Sequence, residues 1–217
     1  VSLMSLFLSG AANAGSFGVG VSGSLAGVSA SGKEADKAGT ADTSMRTATA
    51  GSNVVIPSVF AEYSFDNGFT LGYDYTIGSA DVNSSRLTRT DDSSEANQDG
   101  DRSAQATIEN VMSVYAEVPL HAGLYVKGGI VQMDVNSEEK FSGTAAGAGT
   151  YGNEKVDGMI YGFGYKNSFG TNGYYKVEGS VTEMDGMTFK SSTTDKGNQI
   201  TADLDVVKAT FAVGYAF

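Results

Sequence analysis

Side chains of one kind recur at every second residue through most of this chain, and that alternation leaves it few ways to fold. The last ten residues, KATFAVGYAF, place Phe211, Val213, Tyr215 and Phe217 on one parity. Lys208, Thr210, Ala212, Gly214 and Ala216 take the other. A period of two marks a β-strand, whose successive side chains point to opposite faces. In FTLGYDYTIGS, Phe69, Leu71, Tyr73, Tyr75 and Ile77 oppose Thr70, Gly72, Asp74, Thr76 and Gly78. In NVVIPSVFAEYSF, Val55, Val59, Ala61, Tyr63 and Phe65 oppose Ser58 and Glu62. ENVMSVYAEV sets Met112, Val114, Ala116 and Val118 against Ser113, Tyr115 and Glu117. The same pattern runs through GSFGVGVSGSLAG, GLYVKGGIVQ, GMIYGFGYK and YYKVEGSVTE, where Lys127, Lys166, Lys176 and Glu178 sit on the polar parity. No helical period competes over a comparable length.

These segments predict about eight strands of roughly ten residues, the length that crosses a bilayer when tilted. Their connections alternate. Three are short, FDNGF, VPLHAGL and NSFGTNGY, the first and last carrying the Asn-Gly of tight hairpins. Four are long, polar and rich in Gly, Ser, Thr and Asp, near 31–52, 81–108, 135–155 and 185–202. Short turns on one rim and long loops on the other characterise outer-membrane barrels. The bulky parity is almost free of charge, and Phe65, Phe69, Tyr165, Tyr175, Tyr215 and Phe217 lie at strand ends beside the short turns. Aromatic rings prefer the headgroup zone, so this reads as an interfacial girdle. A soluble sheet would show the same periodicity with its apolar face inward. The alternating connections, the terminal aromatic and the chain start favour the membrane reading.

At that start, VSLMSLFLSGAANA is a short apolar run ending in small residues, with Ala12 and Ala14 in an A-x-A cleavage pattern. Residues 1–14 are therefore expected to be a secretory signal peptide and residues 15–217 one barrel domain. The run departs from the usual pattern in carrying no Lys or Arg before Lys33. The net charge of −11 argues against nucleic acid, and the absence of Cys excludes disulfides and thiolate metal sites.

Segments such as AGLYVKGGIVQ, GMIYGFGYKNSFG and FAVGYAF resemble strands of the small eight-stranded outer-membrane barrels, the group of the OmpA transmembrane domain, OmpX and the opacity proteins. The resemblance implies an all-β, eight-stranded antiparallel up-and-down transmembrane β-barrel with periplasmic termini and external loops. It also implies that Phe211, Val213, Tyr215 and Phe217 form the C-terminal signal read by the barrel-assembly machinery. Members of such a group anchor, adhere, resist host defences or pass solutes, so the fold does not choose among them.

Chemistry-bearing residues concentrate on the polar parity. Lys127, Lys166, Lys176 and Lys208 balance Glu62, Asp74, Glu117 and Glu178. Eight strands leave an interior that side chains fill, and buried charges must pair. A salt-bridged plug is expected, with a narrow solute path as the alternative. GVGVSG, Gly18 to Gly23, matches a dinucleotide fingerprint but lies inside a strand with no helix after it, so Gly18 and Gly20 read as lumen-side spacers. EANQDG, Glu95 to Gly100, has EF-hand-like spacing yet places Ala106 where the bidentate Glu belongs. The lone His121 falls in a short turn without a nucleophile beside it. No cofactor, metal or catalytic residue is expected. The function anticipated is a surface or structural role through external loops, touching lipid, lipopolysaccharide, phage or cell-surface ligands. An outer-membrane enzyme and a soluble lipocalin-like binder are the remaining rivals.

Overall fold

The structure, a computed structural model, describes residues 15–35, 45–82, 87–91, 100–143, 151–190 and 199–217. The expected signal peptide, most of the EF-hand-like stretch and the centres of the long connections lie outside them. The strands are β1 (Gly15–Ala35), β2 (Met45–Phe65), β3 (Thr70–Thr76), β4 (Ala80–Asp81), β5 (Leu87–Asp91) and β6 (Gly100–Pro119). β7 (Leu124–Gly143), β8 (Asn153–Phe169), β9 (Gly173–Met184), β10 (Met187–Lys190) and β11 (Gln199–Ala216) complete them. All pairings are antiparallel, the ring runs β1-β2-β3-β6-β7-β8-β9-β11, and β11 returns to pair with β1 from Ala35↔Gln199 to Gly18↔Ala216. The ring has eight staves, because β4 and β5 continue the β3 stave along β6 and β10 continues the β9 stave along β11.

Tight turns close one rim. Gly68 at φ 83° and Gly123 at φ 85° supply the left-handed conformation that these corners need and that a Cβ disfavours. Both ends of the described barrel, Gly15 and Phe217, lie at this same rim, where Phe217 N–H donates to Phe17 C=O at 2.8 Å. The expected girdle is present. Phe65 meets Phe69 at 5.7 Å between ring centroids, Tyr165 meets Tyr175 at 6.2 Å, and Tyr215 meets Phe217 at 5.1 Å.

The strands are longer than the expected ten residues. β1 and β2 have 21 each, and β6 and β7 have 20. Much of each expected long loop is therefore wall. The two-residue period continues there, but its chemistry inverts. Near the short-turn rim the outward face is apolar, with Val21, Val126, Phe163 and Phe211 exposed, and the inward face is polar. Farther along, the outward face carries Ser29, Thr49, Asn53, Lys155, Asp157, Asp203 and Asp205. Inward there are Ala26, Val28, Ile108, Met133, Val135, Val156, Leu204 and Val206 in one apolar cluster. The barrel thus has a proximal half built for lipid outside and a distal half built like a water-soluble β-barrel.

One irregularity keeps this distal core in phase. The β6–β7 register shifts between Glu109 and Met112, a β-bulge with Asn110 at φ 53°. Asn110 tolerates this conformation, and its side-chain amide donates to Asp134 at 2.9 Å. The bulge sets Ile108 opposite Val135. An unbroken ladder would put Glu109 there instead, on the core face.

Candidate functional site: the charged lumen

All eight expected lumen residues fall on the inward parity of the proximal half or at its boundary with the distal core. Glu62 of β2 is the hub. Its Oε1 accepts from Tyr115 at 2.8 Å and from Lys176, and its Oε2 accepts from Tyr174 at 3.1 Å and Lys166 at 3.3 Å. Lys176 also donates to Glu117 at 2.8 Å. Glu62 and Glu117 are each 2% exposed and Lys176 5%. Such burial is tolerable only because each charge meets opposite charge and several donors or acceptors. A second group joins Lys127 to Glu178 at 3.1 Å, with Tyr125 donating to the other oxygen of Glu178 at 3.0 Å. Asp74 and Lys208 lie in each other's field and in that of Lys127.

Alternation alone puts the charges and Tyr115 on the inward parity but does not show that tyrosines organise the charges. Tyr115, Tyr125 and Tyr174 share the inward parity, and each lies over a glycine of an adjoining strand. A Cβ on Gly72 would collide with the Tyr115 ring, one on Gly164 with Tyr125, and one on Gly214 with Tyr174. The glycines make room for rings that would not otherwise fit inside eight strands. Each ring then carries a hydroxyl to a glutamate, and the rings bear cations as well. Lys127 Nζ lies 3.9 Å from the Tyr115 centroid and Lys166 Nζ 4.5 Å from that of Tyr174. The available signal was an aromatic standing on a parity of Gly, Ser and charge. Gly18 and Gly20 are inward, as expected, under Tyr174 and Phe60.

A cavity of about 370 Å³ opens at the short-turn rim, lined by Ser16, Glu62, Glu117, Tyr125, Lys166 and Tyr174 among others. Deeper in, the void between Asp74, Tyr125, Lys127 and Glu178 is about 20 Å³, room for one water. Ile160 is 1% exposed, and Leu204, 2% exposed, belongs to the distal apolar cluster. His121 is exposed in the β6–β7 turn, where its C=O accepts from Leu124 N–H at 3.2 Å. Among the described residues no cluster of His, Cys, Asp or Glu is arranged to hold a metal ion.

No family model matches the chain, and no curated protein matches it by sequence. Solved structures do. The outer membrane protein OprG from Pseudomonas aeruginosa superposes with TM-score 0.52 at 13% identity, over 94% of this chain and 97% of that one. The fold is that of an outer-membrane β-barrel. Neisserial surface protein A is a more distant likeness, with TM-score 0.36, 11% identity and coverage of 90% and 97%. The outer membrane protease OmpT from Escherichia coli gives TM-score 0.46 at 11% identity, over 93% and 97%.

Proposed function

We propose that this chain is an integral protein of a bacterial outer membrane, with termini on the periplasmic side, whose barrel is a sealed anchor. Its work is surface contact, made by the distal half and the four long connections, with lipopolysaccharide, phage or cell-surface ligands as the partner classes. The role is non-enzymatic. The observation that carries this reading is the filled lumen. Paired charges occupy the proximal half, an apolar core occupies the distal half, and the void between Asp74, Tyr125, Lys127 and Glu178 has room for about one water. Ions crossing it would have to break buried pairs and then enter an apolar plug, each step costly.

A narrow pore is the second reading, favoured by the vestibule of about 370 Å³ and the half-open Lys166 within it. Single-channel recording of the refolded protein in a planar bilayer separates the two. The expected result is silence with insertion verified by protease protection. Discrete current steps that change size in Lys127→Gln or Glu178→Gln would replace the sealed anchor with the pore.

A further inference from the structure

Closing a barrel leaves one seam, the pairing of the first strand with the last. Here that seam is β1 with β11, and its inward face is made of small residues, Gly18, Gly20, Ser22 and Ser24 against Ala216, Gly214, Ala212 and Thr210. One cross-strand row passes through it. Phe60 of β2 pairs with Gly20, Gly20 pairs with Gly214, and Gly214 pairs with Tyr174 of β9. Two glycines thus form the seam and an aromatic flanks each side.

The flanking rings fold inward over those glycines. Phe60 covers Gly20. Tyr174 covers Gly214 and extends beyond β11, so that a Cβ on Gly18 of β1 would lie 2.7 Å from its hydroxyl. The rings meet above the seam with centroids 6.3 Å apart and planes at 59°, and Ala212 of β11 packs with them. The Tyr174 hydroxyl bonds to Glu62, carried on β2, so a hydrogen bond also bridges the two sides. Lys176 of β9 lies 4.8 Å from the Phe60 centroid.

We propose that Phe60 and Tyr174 are an inner clasp that locks the closing seam. The two rings belong to opposite ends of the chain and come together only when β1 has paired with β11. Once together, they shield the seam's glycine backbone from lumen water. Lipid already shields it from outside, and hydrogen bonds strengthen in such low-dielectric surroundings. Tyr115 over Gly72 and Tyr125 over Gly164 have the same local form, but they roof joints between staves that follow one another along the chain, not the closing joint between its first and last strands. The clasp is therefore specific in position, not in residue type.

The test uses the full barrel refolded in vesicles, with unfolding rates in urea as the readout. Phe60→Ala and Tyr174→Ala should each unfold at least about tenfold faster, and the double variant should be no faster than the worse single one. Tyr174→Phe, which keeps the ring and loses only the hydroxyl, should retain most of the kinetic stability. The chain has no cysteine, so Val21→Cys with Val213→Cys, opposed across the seam, can be joined cleanly by a short thiol crosslink. That link should restore slow unfolding to Tyr174→Ala and should not restore it to Tyr125→Ala. Equal rescue of both, or none of either, overturns the clasp. So does independent addition of the two alanine effects. Where an alanine variant does not refold, Phe60→Leu against Tyr115→Leu, each with and without the crosslink, gives the same comparison.

Discussion

Glu62 accepts four hydrogen bonds from three strands, and that concentration makes one carboxylate answerable for the proximal lumen. Removing one partner of a buried pair costs about 3–5 kcal/mol, since the other charge is left uncompensated. Lys176→Met should therefore destabilise by about that amount, through both Glu62 and Glu117. The variant combining Lys176→Met with Glu62→Gln should recover part of the loss, because it no longer strands Glu62 as a charge. Urea unfolding in vesicles measures both, and equal stability of Lys176→Met and the wild type would remove the hub. At this scale the sequence displayed which side chains face inward, because parity is local. It did not display the pairings. Lys176 and Glu62 are 114 positions apart, and their meeting depends on how far the strands stagger around the ring.

Strand length is where sequence and structure part most. The segments SASGKEA and MRTATAGSN look like loop by composition, yet they alternate, with Ala30 and Ala50 inward and Ser31 and Thr49 outward. Over 29–33 and 47–53 they carry no large apolar side chain on either face, because the outside meets water and the inside is tapered by small residues. The criterion that finds lipid-facing strands is blind to such wall. The change of surroundings along β7 gives a direct test. Val126 is outward in the apolar belt, whereas Gln132, on the same parity, lies past it and donates to Asp157 at 2.7 Å. Val126→Arg should cost about 2–4 kcal/mol and impair insertion, as expected of a cation near the bilayer midplane. Gln132→Arg should stay within about 1 kcal/mol of wild type, the range for positions near or beyond the interface. Folded yield in vesicles reads both, and equal tolerance of the two would move the belt.

For the molecule as a whole, the distal half has a conventional apolar core and should obey conventional core energetics. Leu204, 2% exposed, packs with Val28, Met133 and Val206 in that half. Truncating it to Ala should cost about 2–5 kcal/mol, the usual range for a buried leucine. The belt is untouched, so insertion should proceed and the loss should appear only in urea unfolding. An unchanged unfolding midpoint would mean that this core is not load-sharing with the rest of the barrel.

Because the inside and the outside exchange polarity along the axis, the molecule has a waterline. Pushing it deeper would drag Asp157, Asp203 and Asp205 into hydrocarbon, and raising it would leave Val207 and Phe211 in water. Both displacements meet a restoring force that the wall itself supplies. Depth of immersion is thus fixed by the wall itself, as a hull is trimmed to one draught.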